Sequence, residues 1–132
     1  ATAAEIRAAR ADVERALDLV EEAVPLGSAR TLVGLAGSVT TVAALALGLP
    51  EYDAQRIHHS RIAASAVREI TDRLLAMSCA ERKALPVMHP GRADVIGAGA
   101  LVLDTIMGRI DAPEVVVSEH DILDGIALSV AG

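Results

Sequence analysis

Apolar and polar positions along the chain follow two periods, and together they predict helix, strand, helices, strand, helix. Over residues 2–24, Ile6, Val13, Leu17, Val20 and Val24 fall close to one helical face, with Arg7, Arg10, Glu14, Asp18 and Glu21 outside it. Pro25 and Gly27 end that helix. Leu32, Val33 and Leu35 form a short run without polar alternation, the pattern of a strand buried on both faces. A helix over 39–47 follows, stopped by Gly48 and Pro50, and 51–60 read as irregular and polar. Val67, Ile70, Leu74 and Met77, spaced by three and four, predict a second amphipathic helix. Ser78 and Glu81 make a capping-box pattern that opens a short helix closing before Pro86.

The stretch 91–109 predicts a longer helix apolar over a wide arc. Val95, Gly99, Val102 and Ile106 lie on one face, and Ile96, Ala100, Leu103 and Met107 on the next, so burial on more than one side is expected. Gly97 and Gly99 each cost roughly 1 kcal/mol against Ala in a helix interior, which implies close approach of another backbone. Residues 114–118 predict a second buried strand. Residues 120–131 predict a closing helix with Ile122, Leu123, Ile126 and Val130 inward. Two all-apolar strands separated by helices should be parallel and joined by a right-handed crossover. Two strands alone leave faces and edges uncovered, so the chain reads as the later part of a domain whose remaining strands lie upstream.

Composition narrows this picture. The 132 residues suit one domain, 52% of them are hydrophobic, and the aromatic complement is Tyr52 alone, so the core is built from Ala, Val, Leu and Ile. The apolar runs are too short to span a bilayer, and the amphipathic charged start is unlike a signal peptide. A single cysteine, Cys79, fits a reducing, cytoplasmic setting and reads as an ordinary helix residue. The net charge of −6 argues against non-specific nucleic-acid binding, and any site for a polyanion must be local, made of a few Arg residues and backbone N–H groups.

Candidate chemistry centres on 31–41, where a strand ends in small residues at a helix N-terminus. Orphan N–H groups and the helix dipole favour an anion there, although small residues at such a junction also serve tight packing alone. Other candidates carry two readings each. His58 and His59 suggest a metal, but adjacent residues rarely converge on one ion. His89 before Pro90 suits a loop or N-cap. Asp94 suits Mg²⁺ or, more simply, a helix dipole. Glu119 and His120, past a strand end, suit proton transfer or capping.

Four segments in order then carry a resemblance: GLAGSVTTVAA (34–44), LPEYD (49–53), LPVMHPGRADVIGAG (85–99) and SEHDILDGI (118–126). The chain resembles the exopolyphosphatase / guanosine pentaphosphate phosphohydrolase (Ppx/GppA) family, in an actinobacterial form, from Arg30 onward and more loosely in its first helix. The resemblance implies an α/β fold, part of a ribonuclease-H-like domain of the actin / sugar kinase / Hsp70 superfamily. It places residues 1–132 in the C-terminal portion of the second domain, with a helical insertion at about 51–90. It implies hydrolysis of a terminal phosphoanhydride of polyphosphate or guanosine pentaphosphate, with a divalent metal, Mg²⁺, whose ligands lie mainly outside this segment. The family's catalytic glutamate, first phosphate loop and DxGGGST loop do not occur here, so the segment alone should be inactive and should need the upstream part of the same protein. Gly34, Gly37, Ser38, Thr40 and Arg92 are the implied phosphate-binding residues. Ser38 keeps the hydroxyl of the family's threonine. Leu123 stands where many members have arginine, which withdraws that contact. A homodimer is expected, with neither nucleic acid nor membrane as partner. The other classes open to the sequence are a dimerisation or binding module and the nucleotide-binding domain of a related kinase or actin-like ATPase.

Overall fold

The computed structural model describes residues 2–120 and the backbone of 122–131, with side chains from 126 to 130. The chain opens with helix α1 (Ala3–Ala23), started by a capping box in which Thr2 and Glu5 exchange side-chain and backbone bonds. Strand β1 (Val33–Gly34) leads into α2 (Gly37–Ala46). After the short α3 (Ala54–Ile57), capped by Asp53, come β2 (Arg61–Ala63) and α4 (Ala64–Ala76). The expected capping box of Ser78 and Glu81 starts α5 (Cys79–Lys83), and the bonds from Ser78 hold the Glu81 carboxyl below its ordinary range. A 3-10 turn at Pro90–Arg92, α6 (Ile96–Arg109), β3 (Glu114–Val117) and α7 (Ile122–Ala131) complete the chain.

The two expected strands pair in parallel, with Val33 opposite Val116 and Gly34 opposite Val117. A third strand was not legible in the sequence. Segment β2 runs antiparallel on the far side of β3, giving the order β1-β3-β2. It falls in the stretch expected to be a helical insertion, so 51–90 holds three helices and a strand. Three residues carry too little periodicity to announce it, and the pairing is created by β3.

The register puts Gly34, Ile62, Val115 and Val117 on one sheet face, buried under α2, α4 and α6. The other face carries Val33, which is 54% exposed, beside half-buried Val116 and exposed Arg61. The expectation that the first strand is buried on both faces is therefore corrected: among the described residues only one face is covered. Val42, Val67, Ile70, Leu74, Ile96, Ala100, Leu103 and Met107 fill the core between sheet and helices.

Further expectations change. Helix α6 begins at Ile96, because Pro90 and the turn after it take up 90–95. Its Ile96–Met107 face is buried while Val95 and Val102 are exposed, so the buried arc is narrower than read. A Cβ on Gly99 would strike the Ser38 side chain, with the Ser38 Cα of α2 4.0 Å away, so backbone approach holds there, whereas one on Gly97 would press only on the Leu75 side chain. In α1, Leu17 is buried while Val20 and Val24 are exposed, and in α7 Ile126 and Val130 are exposed rather than inward. The readings for Ile122 and Leu123 lie outside the described side chains.

Ion pairs fix the helices laterally. Arg109 of α6 reaches Glu14, Asp18 and Glu21 along α1, and these bonds raise its pKa further. Asp104, a buried carboxylate on α6, has Arg10 Nη2 of α1 2.9 Å from Oδ2 and Arg68 Nε of α4 3.7 Å from Oδ1. Arg10 is close to Oδ2 but not aligned for a hydrogen bond.

Candidate functional site

The sequence-predicted residues gather at the C-terminal ends of β1 and β3, where open α/β sheets place their ligands. The turn from β1 into α2 is strained. Ala36, the N-cap, has φ 72° and ψ 177°, a region otherwise nearly reserved for glycine, and such residues cost about 1–3 kcal/mol. The Ala36 carbonyl takes the first bond of α2, accepting from Thr40 N at 3.1 Å.

Each candidate has a distinct place. Gly34 is buried under Val39, whose Cγ1 would lie 2.7 Å from a Cβ added there, so its glycine is a packing requirement. Gly37 opens α2, and the Arg92 guanidinium lies directly on it; a Cβ would collide with Cζ and Nη2. Arg92 Nη1 is 3.5 Å from the Gly37 carbonyl, which also accepts from the Thr40 hydroxyl at 3.2 Å and the Thr41 hydroxyl at 2.8 Å. The structure thus brings Arg92, 55 residues downstream, to the N-terminus of α2. Thr40 is only 3% exposed, so its hydroxyl builds the turn. Ser38 faces α6 at Gly99, away from Arg92's contact with Gly37.

Arg82 and Tyr52, which were not among the sequence candidates, hold this arrangement together with the candidates Glu119 and His58. Arg82 donates to the carbonyls of Ala93 at 2.7 Å, Met77 at 2.8 Å and Leu74 at 3.1 Å, which anchors the segment carrying Arg92 to the end of α4. Nothing in its position on a short polar helix announces that role. Tyr52 borders a groove of about 540 Å³ that also includes Thr41, Met88, His89 and Arg92. The Tyr52 hydroxyl donates to Glu119 Oε1 at 2.5 Å. Burial pushes the phenol above its ordinary pKa, and the bond to Glu119 adds to this, while Thr40 and Arg92 act the other way. Glu119 N–H donates to His58 Nδ1 at 3.0 Å. Burial lowers the His58 pKa, and the neighbouring His59 and His120 rings lower it further.

The remaining candidates resolve into structural roles. His89 caps the 3-10 turn, its Nδ1 accepting from Gly91 N–H at 3.1 Å. Asp94 accepts from the Cys79 thiol at 2.8 Å, and that bond raises the thiol pKa, which suits an unreactive cysteine. Among the described residues, no group of three or more His, Cys, Asp or Glu side chains could hold a metal ion. No described helix is long and apolar enough to cross a membrane.

This helix-covered mixed sheet matches solved structures of the actin-like, ribonuclease-H-like class. The chain belongs to the Ppx/GppA phosphatase family, whose sequence model matches residues 1–132. It is similar to exopolyphosphatase 2 of Mycobacterium tuberculosis, 48% identical over 135 residues, which covers 99% of this chain and 42% of that protein. Its structure is similar to that of an exopolyphosphatase-like protein, with a TM-score of 0.93 and 38% identity over 98% of this chain and 43% of that one. The Aquifex aeolicus member of the Ppx/GppA family superposes with a TM-score of 0.87 at 25% identity, over 98% of this chain and 41% of that one. The chain therefore spans less than half the length of these relatives.

Proposed function

We propose that the full-length protein releases terminal phosphate from inorganic polyphosphate or guanosine pentaphosphate, and that residues 1–132 are the C-terminal portion of its second domain. In this reading the segment supplies one wall of the phosphate cleft. The observation that carries it is Arg92 seated on Gly37, which sets a guanidinium beside the orphan N–H groups of α2. Gly34 and Ser38 shape the turn by packing, and Thr40 fixes it through the Gly37 carbonyl. The catalytic carboxylate, and the ligands of a divalent metal such as Mg²⁺, belong to the rest of the protein.

The protein reads as cytoplasmic and of actinobacterial type. The exposed apolar residues Ile126, Leu128 and Val130 on α7 support a homodimer or an intramolecular interface.

Arg92 is tested in the full-length protein. Arg92→Ala should weaken polyphosphate binding and lower turnover, and Arg92→Lys should restore only part, because lysine lacks the planar fork. Unchanged kcat/KM in folded Arg92→Ala would remove Arg92 from the site.

A further inference from the structure

Glu119 is fixed at both ends. Its N–H is held by His58 Nδ1 at 3.0 Å and its Oε1 by the Tyr52 hydroxyl at 2.5 Å. Tyr52 borders the same groove as Arg92, and the charges of Glu119 and Arg92 act on the phenol in opposite senses. The phenol thus holds a carboxylate while sharing its groove with a guanidinium at the carboxyl edge of the sheet. Left free, such groups form charge-assisted pairs, and a guanidinium paired in this way has to be released before it can bind phosphate. A tyrosine is suited to prevent this, because two torsions fix its ring and its hydroxyl donates to the carboxylate.

We propose that Tyr52 is a positioning residue of the anion site: its hydroxyl ties Glu119 back and so keeps Arg92 open to phosphate. The inference rests on the assignment of Arg92 to a phosphate cleft. It assigns the Tyr52–Glu119 pair to substrate affinity rather than to the chemical step. His58 completes the device by fixing the backbone of Glu119, so that the carboxylate has one place to be held.

The test uses the full-length protein, with inorganic tripolyphosphate as the probe in calorimetric titration and steady-state kinetics alongside. In Tyr52→Phe the freed carboxylate competes for Arg92, so Kd for tripolyphosphate and KM should rise about fivefold with kcat unchanged. Tyr52→Phe/Glu119→Gln removes the competing charge and should return Kd to the wild-type value. Glu119→Gln alone, which leaves the ring packing intact, should bind tripolyphosphate as tightly as the wild type or more tightly. Unchanged affinity in Tyr52→Phe would overturn the proposal, as would a raised Kd that persists in the double variant or a weakened Glu119→Gln. Arg92→Ala separates the two levels. If it weakens binding while Tyr52→Phe does not, the positioning role alone fails; if it has no effect, the phosphate-cleft reading fails and takes this one with it.

Discussion

The guanidinium of Arg92 lies on the Cα of Gly37, in the space that a side chain at position 37 would fill. The glycine that reads from sequence as access for a phosphate is thus also the seat of a cation.

Gly37→Ala should separate stability from binding. The atoms in the way belong to the end of a flexible arginine, which can swing out, and alanine is the better helix former by up to about 1 kcal/mol. The thermal midpoint of the full-length protein should change little. Tripolyphosphate affinity should fall as it does in Arg92→Ala, about tenfold if one charge-assisted contact is lost. A variant of normal affinity would show that Arg92 acts from another position.

Arg10→Ala should destabilise the protein by about 2 kcal/mol or more, since it strips a buried carboxylate of its nearer cation and leaves only Arg68 at 3.7 Å. Adding Asp104→Asn should recover much of the loss, because the buried charge is then gone. Urea denaturation of the two variants decides the matter, and equal losses would show that the ion pair is not the source.

Stability should fall on mild acidification through His58. Its folded-state pKa lies below the ordinary histidine value, because burial and the neighbouring rings disfavour the charged form. The unfolded chain thus takes up the proton first. The contribution is fully present above the unfolded-state pKa of about 6.5 and is lost as pH falls from there toward the lowered folded-state pKa. Protonation at Nδ1 would also end its acceptance of the Glu119 N–H. His58→Asn, which keeps an acceptor, should flatten thermal midpoints measured between pH 7 and 5, and an unaltered slope would assign the effect to other groups.

The isolated 132-residue chain should hydrolyse neither polyphosphate nor guanosine pentaphosphate, and it should self-associate. Val33 and Leu35 are about half exposed, and β3 covers only one edge of β1. Sedimentation and phosphate-release assays on the purified chain check both halves. A monomer with a sharp thermal transition would show that the open sheet face is tolerated.

The helices were legible because their signals are local. The Ser78–Glu81 capping box and the three-and-four spacing from Val67 to Leu74 act within one turn or two, and the helices form where those patterns lie. The parallel pairing of β1 and β3 followed from apolar strands divided by helices, and the ordered segments of 34–126 indicated the family that the comparisons then showed. Tertiary structure alone decided the rest, because each remaining feature joins residues distant in sequence. Strand β2 exists through its pairing with β3, and the exposure of Val33, Val102 and Val130 depends on what packs beside them. The strained Ala36, the Arg82 anchor and the Tyr52–Glu119 bond leave no periodic trace, since a single contact across many residues adds nothing to a local pattern. Sequence by itself named Arg92 and Gly37 as separate candidates. Folding placed one on the other, because the core contacts of α2 with α6 bring the segment before α6 to the start of α2.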